Sequence, residues 1–154
     1  MKILLVCTGN ICRSPTAEGV LKRLAGESGV SLTVESAGTH DYHVGKPPDE
    51  RATEHARRRG YNLSALRARQ LEPGDFEVFD LVLAMDRGHL RILERLCPRE
   101  HRGKLRLFMD FAPGLGGAEV PDPYYGRPEE FELVLDLVEA GARGLLEMIQ
   151  KSRR

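Results

Sequence analysis

The chain has 154 residues, 41 % hydrophobic and 30 % charged, an ordinary globular balance rather than a disordered or membrane one. That length suits a single domain, residues 1–154, that buries about two-thirds of its unfolded surface. Lys and Arg total 23 and so do Asp and Glu, so the basic excess of a nucleic-acid-binding protein is missing.

The opening MKILLVCTGN has one Lys and an apolar run too short for a signal peptide or membrane span, so a cytoplasmic location and no membrane partner are expected. The three cysteines, an odd number, do not suggest a disulfide framework. In a reducing compartment they read as packing residues, metal ligands or nucleophiles.

Lys2 to Val6 predicts a short, fully buried strand. Ser14-Pro15 predicts an N-cap followed by Pro at the first helical position, opening a helix to about Ala25. Val30 to Ser36 alternates apolar and polar residues as a second strand does. Pro48 to Arg59 predicts a polar helix stopped by Gly60. A turn and short helix around Pro73-Gly74 lead to a third strand, Leu81 to Ala84. A helix over Arg87 to Cys97 then ends before Pro98. Leu105 to Phe108 predicts the fourth strand, and a Gly/Pro-rich loop spans Asp110 to Pro128. In the last helix Phe131, Val134, Leu135, Val138, Ala142, Leu145, Leu146 and Ile149 keep i, i+3, i+4 spacing.

This alternation implies an α/β fold: a four-stranded parallel sheet, doubly wound, with helices on both faces. Ligands in such sheets bind beyond the carboxyl ends of the strands, near a topological switch point. The residues that follow the first strand therefore come first as site candidates.

They read CTGNICRS, from Cys7 to Ser14. Backbone N–H groups of Thr8, Gly9, Asn10, Ile11 and Cys12 can wrap an anion there, aided by the partial positive charge of a helix start. Gly9 supplies conformational freedom, and the planar fork of Arg13 can hold two phosphate oxygens. The same surroundings are expected to draw the Cys7 thiol below its ordinary value of about 8.5. Thiolate, anion cradle and clamp together make a phosphoryl-transfer site. A phenolate leaving group, with a parent pKa of about 10, also needs a proton donor. Asp122 is the candidate, set between Pro121 and Pro123; the prolines are expected to reduce its solvation and raise its pKa.

CTGNICRSP, SAGTHDYHVGKPPD at Ser36 to Asp49, ARQ at Ala68 to Gln70, and DPYYG at Asp122 to Gly126 resemble the low-molecular-weight protein tyrosine phosphatases along nearly the whole chain. The resemblance implies that Cys7 is the nucleophile, Arg13 binds the phosphoryl group and Asp122 is general acid, then base. It implies that Asn10, Ser14 and Ser36 hold the loop and thiolate, and that Cys12 can protect Cys7 as a reversible disulfide. Tyr42, Tyr124 and Tyr125 would line the cleft, with His43 and Asp86 on its rim. Phosphotyrosine-containing proteins would be the partners and phosphate both product and inhibitor, with no cofactor, metal or nucleic acid. One departure stands out: relatives often carry a His shortly before ARQ, where this chain has Leu66. Either Asn10 finds another partner or the loop is looser.

Arsenate reductase chemistry shares such a loop but needs a resolving cysteine pair late in the chain, where only Cys97 stands. Protein-arginine phosphatases that resemble the chain carry Thr at the position of Ile11 and lack the paired tyrosines. A phosphate-carrying module phosphorylated on cysteine would not need both Arg13 and a distant acid. The His40/His43 pair has no third ligand nearby, which weakens a metal site. The Arg57-Arg58-Arg59 run, with Arg67 and Arg69, reads as a solvated face.

Overall fold

A computed structural model describes residues 1–152. Four strands, β1 (Lys2–Cys7), β2 (Thr33–Gly38), β3 (Leu81–Ala84) and β4 (Leu105–Leu107), form one sheet in the order β2-β1-β3-β4. Every pairing is parallel, with Lys2 opposite Thr33, Cys7 opposite Gly38, Val6 opposite Ala84, and Ala84 opposite Leu107. The run Ile3-Leu4-Leu5-Val6 is apolar without a break because both of its faces are covered, as parallel sheets require.

Ile3, Leu5 and Leu83 point into one core with α1 (Arg13–Glu27) and α5 (Pro128–Ser152), where α2 (Glu50–Arg58) adds Ala56. Leu4, Val6, Val82, Ala84, Leu105 and Leu107 form the other core, closed by Phe76 of α3 (Asp75–Val78) and by Leu93 of α4 (Arg87–Leu96). The sheet is thus wound on both faces, as expected from the alternation of strands and helices. No helix among the described residues is long and apolar enough to cross a membrane.

The apolar stripe of α5, from Phe131 to Ile149, is buried throughout. Two glycines on the same face complete it. A Cβ at Gly144 would lie 1.8 Å from the Phe111 carbonyl oxygen, and one at Gly141 would lie 2.5 Å from the Phe108 ring. They let α5 settle on a short 3₁₀ turn, Phe108–Phe111, that follows β4 at once; Phe108 therefore belongs to the turn and not to the strand.

Other predicted boundaries move by one to three residues. β2 runs from Thr33 to Gly38 rather than Val30 to Ser36, starting three residues later and ending two residues later because the β1 ladder continues to Cys7. The α2 helix starts at Glu50 and is capped by Asp49, whose carboxylate accepts from the N–H groups of Arg51 and Ala52. At α1 the cap itself changes. It begins at Arg13, its N-cap is Cys12 without a side-chain cap, and Ser14 lies inside the first turn. Pro15 is tolerated there because first-turn N–H groups have no partner within the helix.

The Arg run is also not one solvated face. Arg57 and Arg58 pair with Glu54 on the surface, but Arg59 joins α2 to α5 through Glu132, Asp136 and Glu139. Arg69 pairs with Asp75 at 3.0 Å.

Candidate active site

The chain leaves β1 at Cys7, goes to β2 on one side and returns to β3 on the other, so the crevice at the carboxyl end of β1 is the topological switch point. Cys7 is buried at this edge, and the loop from Thr8 to Cys12 carries the chain into α1. Asn10 adopts φ 58°, a left-handed conformation that Asn accepts more readily than most residues. The loop lies against Gly38: Thr39 N–H donates to Cys7 O and His40 N–H to Thr8 O. A Cβ at Gly38 would meet Thr8 O at 2.6 Å, so the close approach needs glycine.

Behind the sulfur runs a buried chain of hydrogen bonds whose direction its two ends settle. Arg69 N–H donates to Asn10 Oδ1 at 3.0 Å, leaving Nδ2 as the donor end of that amide. Nδ2 donates to Ser14 Oγ at 2.8 Å and to Ser36 Oγ at 2.9 Å. Ser36 passes its proton toward Glu18 Oε1 at 2.6 Å, and Glu18 meets Lys22 at 2.5 Å. Ser14, having accepted from Asn10, has its own O–H free to donate to Cys7 Sγ at 2.9 Å. No histidine takes part; the Arg69 amide fills the place of a side-chain partner, while Leu66 packs against the core. Of the two outcomes left open by Leu66, Asn10 has found other partners.

Arg13 is 5 % exposed. Its Nη1 donates to Asp86 Oδ2 at 2.8 Å and to Val120 O at 3.1 Å. Nε and Nη2, the edge able to bind two oxygens, have no hydrogen-bond acceptor among the described residues; Nη2 stands 3.8 Å from Asp122 Oδ2. Asp86 is therefore not a rim residue but the buttress of Arg13. Its burial works to raise its pKa, yet the bonds from His89 N–H and Arg13 outweigh that and hold the carboxyl below its usual value. His89, 4 % exposed, meets Thr8 Oγ1 through Nε2 at 2.7 Å. Its Nδ1 lies 3.1 Å from Asp86 Oδ1 but off hydrogen-bond alignment. Burial, and then the charge of Arg13, lower the imidazole pKa to about 4, so the ring is neutral near pH 7.

An open cleft of about 360 Å³ lies over the loop, lined by Thr8, Gly9, Ile11, Tyr42, His43, Asp122, Tyr124 and Tyr125. One wall stacks Tyr42 on His40, ring centroids 4.9 Å apart; the other sets Tyr124 edge-on to Tyr125 at 4.9 Å. His43 reaches over Gly9, where a Cβ would come 2.7 Å from its ring, so it lines the cleft rather than the rim. The Asp122 side chain is 53 % exposed, so its flanking prolines do not strip it of water as expected. Its Oδ1 accepts from Tyr124 N–H at 3.1 Å.

The three cysteines are free thiols. Burial, and next the charge of Asp49, push the Cys12 thiol far above its ordinary value. Among the described residues no group of three or more His, Cys, Asp or Glu could hold a metal ion.

Thr8, Gly9, Ile11, Asp122 and the tyrosines thus line one cleft, while Cys7, Asn10, Cys12, Arg13, Ser14 and Ser36 are buried at or behind its loop. Glu18 and His89 were not singled out in the sequence. Glu18 bonds Ser36 of β2 rather than a neighbour at i−4, so no local spacing marks it. Nothing local marks His89, whose partner Thr8 lies in the first loop.

A model of the family described as low molecular weight phosphotyrosine protein phosphatase matches residues 2–154. A low molecular weight protein-tyrosine-phosphatase of Streptomyces coelicolor is 43 % identical over 155 residues, covering 97 % of this chain and 94 % of that one. Among solved structures, a protein tyrosine phosphatase from Entamoeba histolytica with Hepes in the active site is similar at TM-score 0.95 and 35 % identity, over 100 % of this chain and 99 % of that one. Vibrio vulnificus Wzb in complex with benzylphosphonate is similar at TM-score 0.84 and 35 % identity, over 96 % and 97 % of the two chains.

Proposed function

The chain belongs to the low molecular weight phosphotyrosine protein phosphatase family, a family of hydrolases, and we propose that it hydrolyses phosphotyrosine in proteins through a phosphocysteine formed on Cys7. The observation that carries this reading is a buried Cys7 sulfur beside the Ser14 hydroxyl, at the head of a loop that lines one cleft with Asp122 and whose Arg13 brings Nη2 to 3.8 Å from Asp122.

In the first step the Cys7 thiolate attacks phosphorus in line, the S–P bond forms, and the bond to the tyrosine oxygen breaks. Asp122 gives that oxygen its proton, so the leaving group departs as a neutral phenol. In the second step a water attacks phosphorus while Asp122, now a carboxylate, takes its proton. The S–P bond breaks and inorganic phosphate leaves. Nε and Nη2 of Arg13, with the loop N–H groups, stabilise charge on the transferring group throughout. Once Ser14 has donated to the sulfur, it also stabilises the thiolate as the departing group of the second step.

The aromatic walls suit an aryl ester, and Ile11 adds an apolar floor. The benzylphosphonate held by the Vibrio relative has the shape of such a substrate. Arsenate chemistry finds little support: the remaining thiol, Cys97, is buried at the far end of α4, which runs away from the switch point. Phosphate release from a phosphotyrosine peptide tests the proposal, with wild type compared to Asp122→Asn at several pH values. Wild-type turnover with a loss of about 10²-fold or more in the variant is expected. Absence of release by wild type, or preference for phosphoarginine, would overturn it.

A further inference from the structure

The Asp122 segment has few polar ties to the rest of the molecule, although Pro123 is buried. Val120 is fastened on both sides, its N–H donating to Met85 O and its carbonyl oxygen accepting from Arg13 Nη1, and α5 begins at Pro128. Between them the chain has only local turns: Tyr124 N–H to Asp122 and Gly126 N–H to Pro123 O. Apart from the 3.8 Å approach of Arg13 to Asp122, one polar contact among the described residues joins this stretch to another element. It is the bond from Arg51 Nη2 to Tyr124 O, 2.9 Å long.

Arg51 is itself held from several sides. Its Nε and Nη2 grip the Asp49 carboxylate at 3.3 and 3.0 Å, a fork that fixes the guanidinium plane. The guanidinium carbon lies 5.5 Å from the Tyr124 ring centroid and 4.9 Å from that of Phe131 in the first turn of α5. The far end of this chain of contacts reaches the nucleophile loop: Asp49 N–H donates to Ile11 O at 2.8 Å. Ile11, Asp49, Arg51, Tyr124 and Asp122 therefore form a continuous strap across one end of the cleft. Arg51 itself does not line the cleft.

We propose that Arg51 is a positioning residue for Asp122 and the Tyr124 wall: it sets how far the proton donor stands from the Cys7 loop. The inference rests on the assignment of Asp122 as general acid, and its test separates the two claims. A misplaced acid harms substrates in proportion to how much they need protonation. Phenyl phosphate, whose phenolate is a poor leaving group, depends on the donor; p-nitrophenyl phosphate, whose phenolate leaves readily, depends on it far less.

Arg51→Met removes both the fork and the charge, and Arg51→Lys keeps the charge without the fork. Both are compared with wild type and Asp122→Asn in kcat/KM for the two esters and in competitive inhibition by inorganic phosphate. The expected result for Arg51→Met is a loss of about tenfold or more on phenyl phosphate, since a displacement near 1 Å can cost 10²-fold. The loss on p-nitrophenyl phosphate should be several times smaller, and phosphate inhibition should be unchanged. Arg51→Lys, which needs no refolding of α2, should show the same pattern in weaker form. Equal losses on both esters, or weaker phosphate inhibition in parallel, would make Arg51 a support of the fold or loop and overturn the inference. If Asp122→Asn itself fails to discriminate between the esters, the assignment of Asp122 falls first, and that of Arg51 with it.

Discussion

The loop at residues 7–14 and the segment at residues 120–128 face each other across the cleft. In the loop, Cys7, Asn10, Cys12, Arg13 and Ser14 are all buried, and each polar side chain has a named partner. In the segment, Asp122, Tyr124 and Tyr125 are exposed, and a single arginine ties them to α2. The contrast follows from what each has to do. A cradle for a multiply charged group works when its dipoles are fixed beforehand, so its geometry is worth a buried network. A proton donor must meet an oxygen on a substrate that arrives from solvent, so it stands on a wall that water and protein substrates can reach. Rigidity is invested at the phosphorus side, and access is kept at the leaving-group side.

The largest way to break the contrast is at the clamp. Arg13→Lys keeps a positive charge but loses the planar edge, and a fall in kcat of about 10²–10³-fold is expected, comparable to the removal of one transition-state donor. A change under tenfold in steady-state turnover would mean that charge alone suffices and that the buried fork is not what the loop is built around.

The next is the network itself. Asn10→Gly preserves the left-handed backbone while it deletes all three bonds of the side-chain amide and leaves the Arg69 N–H and two serine hydroxyls short of a partner. The expected cost is about 2 kcal/mol of stability, read from the urea midpoint, with a parallel fall in kcat. An unchanged midpoint would show that water replaces the amide freely and that the loop is less dry than its burial implies.

The last prediction sharpens the contrast through pH. His89, packed behind the loop, has a folded pKa of about 4 against about 6.5 in the unfolded chain, because burial and Arg13 oppose its charge. Between those values the unfolded chain takes up a proton that the folded one refuses. Stability is therefore lost as pH falls from 6.5 toward 4, by up to about 3 kcal/mol, and nothing from this group changes above that window. His89→Asn should unfold with a shallower pH dependence between pH 7 and 5 than wild type in urea titrations. Identical slopes would show that His89 charges inside the fold.

How much of this was legible in the sequence differs between the same two regions. The loop is one contiguous stretch between a strand and a helix, so Cys7, Arg13 and their neighbours could be read from spacing and context. Its internal wiring was legible only through the resemblance, which named Asn10, Ser14 and Ser36, and not through local spacing. Ser14-Pro15 has the form of a helix cap, and only the packing of β2 against the loop, which brings Ser36 and Asn10 together, shows that the Ser14 hydroxyl is turned to the sulfur. Leu66 looked like a gap because a side chain was sought there, whereas the replacement is the backbone N–H of Arg69, which no residue identity reveals. The acid segment is legible in DPYYG, but its solvation is not: the Asp122 side chain is 53 % exposed despite the flanking prolines. Prolines stiffen a backbone; what dries a carboxylate is neighbouring structure, and Asp122 has little. Arg51 and Arg59 show the same limit: in sequence they are surface arginines of a polar helix, and their roles exist only because α2 packs against α5 and the Tyr124 segment. The glycines that seat α5 on the Phe108 turn were hidden likewise, since an apolar stripe records contact but not how close two backbones come.

The central claim is that the phosphoryl group passes through Cys7. Wild type mixed with excess p-nitrophenyl phosphate, quenched in acid within the first turnover and digested, should yield a phosphorylated peptide that carries Cys7, in step with a burst of p-nitrophenol. Phosphate on any other residue, or a burst with no modified Cys7 peptide, would contradict the account.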